Sequence, residues 1–218
     1  MFYDLSRRSV FIHVPRTAGT AMTTALTSHC PAGVALVREH KHATAAEIRE
    51  MLAEEWGSLF RFAVLRNPWE LIASDYRHTV ASAAAAIGVS ALDCTAYWIE
   101  RMRRTVSYRD FGEFVCHEWL GQWSPLLPGG FWRSYCLGPD GEDLGVEVFR
   151  FDQLAEAWGT ICGKVGLPVL PLPVVNRTDP VACSAEYTPA LRDAVGERCR
   201  GDVERFGWSP PAADPDPP

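Results

Sequence analysis

The chain has 218 residues, 47% of them hydrophobic and 22% charged, with a formal net charge of −6. That length fits one domain with a core that buries about 70% of its unfolded surface, and the composition is ordinary for a water-soluble globular protein. The negative balance argues against general nucleic-acid binding, and no apolar run is long enough for a transmembrane anchor. Residues 1–8 lead into neither an apolar h-region nor a small-residue cleavage site, so a cytoplasmic location is expected. Seven cysteines (Cys30, Cys94, Cys116, Cys136, Cys162, Cys183 and Cys199) are scattered without a CxxC pair. Zinc is therefore not expected, and free thiols in a reducing compartment are.

Val10 to Val14 is a short apolar run rich in β-branched residues, which reads as a buried strand. Pro15 stops it, Gly19 allows a tight backbone path, and Thr20 to Leu26 can start a helix. Strand, tight loop and helix N-terminus point several N–H groups and the positive end of a helix dipole at one spot, which suits an anion, most naturally a phosphate. The loop lacks the Gly-Lys-[Ser/Thr] of a magnesium-dependent nucleotide-triphosphate site, and its cation, Arg16, precedes the glycine. Pro31-Ala32-Gly33 is a link, and Val34 to Val37 is a possible strand. Thr44 and Glu47 form a capping box for a helix to about Trp56, with Ile48, Met51, Leu52 and Glu55 at helical spacing. His42 sits on the loop just before that helix, where catalytic groups commonly lie. As a neutral imidazole it is a candidate general base. His40 is the alternative, Glu39 the next after it, and packing against the cap the role without chemistry. Phe62 to Leu65 is a second apolar strand, with Arg66 at its end, Pro68 suited to the first turn of a helix, and Ser74 eight residues after Arg66.

Residues 77–106 read as helix, with a small-residue face at 81–86 and Leu92, Tyr97, Trp98, Ile99 and Met102 as core. Arg101, Arg103 and Arg104 form either a solvated face or a contact to an anionic substrate. Asp110 caps a helix containing Phe111, Phe114, Val115 and His117. A long loop follows, and Trp119, Trp123, Phe131 and Trp132 make either an aromatic wall for an acceptor or plain packing. Tyr135 to Leu137 and Val146 to Phe151 bracket a Gly-Pro-Asp-Gly-Glu turn as strand, loop and strand. A helix then runs to Gly166 and Pro168. The last helix has Thr188 as N-cap and Pro189 at its first position, and closes over 202–208. Five of the ten residues from Ser209 are proline, so 209–218 is expected to be a disordered tail behind a single domain, 1–208.

Phe11-Ile12-His13-Val14-Pro15-Arg16-Thr17-Ala18-Gly19-Thr20 resembles the 5′-phosphosulfate loop of sulfotransferases that use 3′-phosphoadenosine 5′-phosphosulfate (PAPS), in its carbohydrate sulfotransferase form. Arg16 stands where that loop often carries lysine. Arg66 and Ser74 resemble the family's 3′-phosphate motif, in which a guanidinium and a hydroxyl share one phosphate. Lys41-His42 followed by Thr44-Ala45-Ala46-Glu47-Ile48-Arg49 resembles a recurring Lys-His and helix, in which the histidine is the base. Phe149-Arg150-Phe151-Asp152-Gln153-Leu154, with Asp152 in a glutamate place, and Asp202 to Trp208 match further segments in order. Val174-Val175-Asn176-Arg177-Thr178 resembles a segment that borders the nucleotide. The resemblance implies a three-layer α/β/α fold with a mainly parallel central sheet, P-loop NTPase-like, and sulfuryl transfer from PAPS to a hydroxyl of a saccharide or small-molecule acceptor. PAP, the 3′-phosphoadenosine 5′-phosphate, is left as product, and no metal is required. It implies that Arg16, Thr17, Ala18, Gly19, Thr20 and Ala21 hold the 5′ end, and that Arg66 and Ser74 hold the 3′-phosphate. Asn176 and Arg177 would border the nucleotide, and His42 would take the acceptor's proton. Two alternatives stand beside it. One is a P-loop kinase or NTPase, disfavoured by the missing Gly-Lys-[Ser/Thr]. The other is a non-catalytic PAP-binding protein, since arginine is a weaker proton donor than lysine.

Overall fold

The computed structural model describes residues 1–35, 41–85, 96–122, 124–173 and 187–211. It is an α/β fold whose chain divides into two compact units, 1–66 with 131–175, and 67–130 with 176–218.

The first unit is built on a five-stranded sheet of order β3-β1-β2-β4-β5. The strands are β1 (Phe2–Asp4), β2 (Ser9–Ile12), β3 (Val34–Ala35), β4 (Phe60–Leu65) and β5 (Glu147–Arg150). β2, β4 and β5 pair in parallel, while β1 pairs antiparallel with both β2 and β3. The sheet is therefore mixed, and the expectation of a mainly parallel one holds only for these three strands. The reason is local: a four-residue turn joins β1 to β2, and so short a link can close only an antiparallel pair. Register puts Phe2 opposite Phe11 and Phe11 opposite Phe62, so three aromatics share one sheet face. α1 (Gly19–His29) and α7 (Leu154–Lys164) cover that face with Met22, Leu26, Trp158 and Ile161. Val10, Ile12, Ala63 and Leu65 point the other way and are equally buried. α2 (Ala45–Leu52) and α6 (Phe131–Cys136) pack on each other, and α6 packs against β4.

The capping box at α2 is present in full. Glu47 N–H donates to Thr44 Oγ1, and Glu47 Oε2 accepts from Thr44 N–H at 2.7 Å. The helix ends earlier than Trp56, because Ala53 takes φ 36° and a 3₁₀ turn follows. Phe131–Cys136 is helix where Tyr135 to Leu137 reads as strand. The aromatic content that suggests a strand serves here to bury Phe131 and Tyr135 on one helix. A single antiparallel bridge, Leu137 to Asp143, closes the turn that follows, and β5 pairs with β4.

The second unit is helical among the described residues. α3 (Pro68–Ala85) starts at its proline, with Asn67 Oδ1 accepting from Trp69 N–H at 3.1 Å. α4 (Ala96–Ser107) packs on α3, and α5 (Phe111–Phe114) is capped by Asp110, which accepts from Glu113 N–H at 2.9 Å. A π-helical turn, Val115–Trp119, follows directly. α8 (Pro189–Arg198) has Thr188 as its N-cap, and the expected single last helix breaks at Cys199 before α9 (Arg200–Phe206). Ser209, at the head of the proline-rich tail, accepts a hydrogen bond from Asn67 Nδ2 at 2.9 Å; residues 212–218 lie outside the described ones.

Candidate functional site

The loop between β2 and α1 is held in an unusual shape. Arg16 and Ala18 take φ 61° and 60°, and neither is glycine. Left-handed geometry costs a side-chain-bearing residue about 1–3 kcal/mol, and it persists where the surroundings demand it, often at ligand clamps. Thr17 lies between them at negative φ, and alternation of this kind is a backbone pattern that can turn successive N–H groups toward an anion. Thr17 is fully buried, and its hydroxyl donates to Val14 O at 2.8 Å, so its side-chain proton is spent within the loop. α1 starts at Gly19 behind Ala18, which has no side chain to cap the first turn. The first-turn amides of Gly19, Thr20 and Ala21 thus lack the side-chain partner that most helix starts supply.

Nothing in the sequence singles out His13, yet its ring packs against Phe11, His42 and Gly19. It stands two residues beyond Phe11, so it continues that sheet face, and its ring stacks on Phe11 at 5.6 Å. α1 covers this face, so the ring runs into the start of α1. A Cβ on Gly19 would sit 1.9 Å from His13 Cδ2. Gly19 is therefore required by a close approach, not by the free backbone path read from the sequence, since its own φ is not left-handed. His13 is 3% exposed, and its Nδ1 has no hydrogen-bond partner among the described residues. Burial first, and then the neighbouring charge of His42, holds its pKa well below the ordinary histidine value, so the ring is neutral.

His42 meets this ring edge-on at 4.6 Å, and its Nδ1 lies 2.8 Å from His13 O. A carbonyl only accepts, so Nδ1 carries the hydrogen and Nε2 becomes the basic nitrogen. The residue beside it, Lys41, places its Nζ 3.3 Å from Thr20 Oγ1. Burial, and then the charge of Arg16, pulls the Lys41 pKa below the ordinary lysine value. The first unit thus brings together the curled loop, Arg16, Thr20, Lys41 and His42. The pointer to Lys41 in the sequence is its place directly before His42 and the capped helix.

Arg66 directly follows β4 and lies over the Phe151 ring at 4.5 Å, a cation–π contact that holds the guanidinium at the carboxyl end of the strand. Ser74 belongs to the second unit, where it is buried on α3. His40, Glu39, Asn176, Arg177 and Trp123 lie outside the described residues. The described aromatics of the expected wall fall in both units. Trp119 is buried in the second unit, within 5.8 Å of the Arg101 guanidinium, and Phe131 is fully buried in the first. Both act as packing, and Trp132 on α6 is half-buried. Arg101 and Arg104 are not a solvated face: both bind Glu118, and Arg101 also binds Asp75. Cys30, Cys136, Cys162 and Cys199 are free and buried, and Cys116 is free and exposed. No helix among the described residues is long and apolar enough to cross a membrane. Comparison with protein-family models, with curated proteins and with solved structures finds no match to the chain.

Proposed function

We propose that the protein is a PAPS-dependent sulfotransferase, moving the sulfuryl group to a hydroxyl of a carbohydrate or small-molecule acceptor and leaving PAP. The observation that carries this reading is one cluster. A loop of alternating φ stands at an uncapped helix start, flanked by Arg16 and Lys41, with His42 fixed as an Nδ1–H tautomer beside it. In this reading β2, β4 and β5 are the parallel heart of a P-loop NTPase-like sulfotransferase fold, and the nucleotide lies at their carboxyl ends. The amides of residues 17–21 and Arg16 hold the 5′-phosphosulfate, and Arg66 is the cation for the 3′-phosphate. The acceptor oxygen attacks sulfur in line, the bond from sulfur to the bridge oxygen breaks, and the electron pair stays on that oxygen. His42 Nε2 takes the acceptor's proton. This reading invokes no metal. Buried free thiols suit a reducing cytoplasm.

The test is binding followed by transfer. PAP should raise the melting temperature through linkage, and adenosine 5′-phosphosulfate, which lacks the 3′-phosphate, should raise it less. Labelled sulfate should pass from PAPS to members of a panel of hydroxylated acceptors. Magnesium-dependent ATP turnover in place of sulfate transfer would make the protein a kinase or NTPase, and PAP binding without transfer would make it a binding protein. Equal shifts from the two nucleotides would remove Arg66 from the 3′-phosphate role.

A further inference from the structure

Within the second unit, α5, the π turn behind it and the start of α8 border a cavity of about 520 Å³. That volume lies in the range of small-molecule sites, which are mostly apolar with a few polar groups that fix orientation. Phe111 and Leu191 are buried and form an apolar floor, to which Leu120 adds a third apolar side chain. Small residues keep the walls low. Ala190 and Ala194 lie on one face of α8, four residues apart, and Gly112 has no side chain. A Cβ on Gly112 would press on Asp110 Oδ1 at 3.2 Å. The remaining wall is the π turn, closed by Leu120 N–H donating to Val115 O. It presents Cys116 to the cavity while Glu118 is buried against Arg101 and Arg104. Such turns recur at functional sites.

Charge sets the class of ligand. Asp110 is exposed, so it stands at the mouth, and among the described residues it is the one charged group that lines the cavity. One of its oxygens caps α5, accepting from Glu113 N–H at 2.9 Å, and an ionised carboxylate has a second oxygen to offer. Its chain neighbour Arg109 binds Glu113 instead. No arginine or lysine lines the cavity, so an anion finds no partner there. We propose that this cavity is a binding site for an apolar small molecule that carries a protonated amine. The hydrocarbon body rests on Phe111, Leu120 and Leu191, and the ammonium meets Asp110. The site holds such a ligand whether or not the loop of the first unit binds PAPS, and its test uses no nucleotide.

Three probes, 4-phenylbutylamine, 4-phenylbutanol and 4-phenylbutyrate, share one apolar body and differ in the charge at its end. Each is titrated into the full chain by calorimetry, and residue-resolved NMR shifts locate it. The amine should bind saturably, with a dissociation constant of about 1 mM or below, as for a fragment in a small-molecule site. It should shift signals within 110–120 and 188–194. The alcohol should bind about fivefold more weakly, the worth of one exposed ion pair, and the carboxylate more weakly still. Asp110→Asn keeps a good helix cap, and should bring amine and alcohol to equal affinity. Ala194→Leu should fill the cavity and abolish binding. Where that variant fails to fold, Ala190→Leu, at an exposed position of the same wall, carries the same expectation. Any one of five results overturns the proposal: no saturable amine binding to wild type, shifts confined to other residues, a carboxylate that binds as well as the amine, an amine preference that survives Asp110→Asn, or amine binding unchanged in a folded filling variant.

Discussion

At the scale of single residues, the site depends on His13 more than on any residue that would touch a substrate. Its carbonyl commits His42 to one tautomer, and its ring closes against Gly19. His42→Ala should lower sulfate transfer by ~10²–10⁴, the usual contribution of a placed base, with PAP affinity near wild type. His42→Asn keeps a hydrogen-bonding group without a basic nitrogen, and should not restore turnover. Retained activity in the alanine variant would return His42 to packing. Gly19→Ala is the companion test. The new methyl would collide with a buried ring held on both sides, by Phe11 and by His42, so the ring has little room to yield. Overpacking of this kind costs about 1–3 kcal/mol, readable in urea unfolding, and displacing the ring should also weaken PAP binding. An alanine variant with wild-type stability would show that the ring gives way. Neither role of His13 was legible beforehand. A histidine inside an apolar run shows its strand face by its spacing from Phe11, but not which helix start will lie against that face.

At the scale of elements, local signals carried far and long-range ones did not. The Thr44 capping box, Asp110, and Thr188 with Pro189 were read from adjacent residues, and their hydrogen bonds form as expected. β1 was missed because a three-residue strand has no period to detect. The arginine run on α4 misled for another reason: its partners are Asp75 on α3 and Glu118 on the π-helical turn, and nothing in the run announces acids so distant in the chain. Arg101 binds Asp75 through two nitrogens, at 3.3 and 2.5 Å, and Glu118 through Nε at 3.2 Å. Arg104 and the Tyr108 hydroxyl complete Glu118 at 2.9 and 2.8 Å. The π turn, closed by Leu120 N–H donating to Val115 O, carries Glu118 into this cluster. Arg101→Met should strip buried Asp75 of its Arg101 contacts and leave Glu118 with Arg104 alone of the two arginines, and cost about 3–5 kcal/mol, measured by denaturant unfolding. A loss below 1 kcal/mol in Arg101→Met, on the order of an exposed pair, would mean that water or Arg104 replaces the lost contacts.

At the scale of the whole molecule, the two units carry different titrating groups, and this predicts two acid windows. In the first unit His13 has a depressed pKa because burial disfavours its charged form. The unfolded chain therefore binds a proton near pH 6.5 that the folded chain refuses, and stability falls as pH drops below that value, with a slope that approaches about 1.4 kcal/mol per pH unit for one proton. In the second unit burial works to raise the Glu118 pKa, but hydrogen bonds from Arg104 and Tyr108 and the charge of Arg101 outweigh it, and the net pKa is lowered. Its contribution is complete above the ordinary glutamate value of about 4.3 and is lost only as pH falls through the lower folded value. Hydrogen exchange, corrected for the intrinsic pH dependence, should separate the two. Protection in β2 and α1 should weaken between pH 6.5 and 5, while protection in α4 and around the π turn should hold until below about 4.3. His13→Gln keeps the backbone carbonyl and removes the His13 titration, so it should narrow the first window by that group's share and leave the second. If both units lost protection together, and only below pH 4.3, the His13 ring would not control the first unit's response to acid.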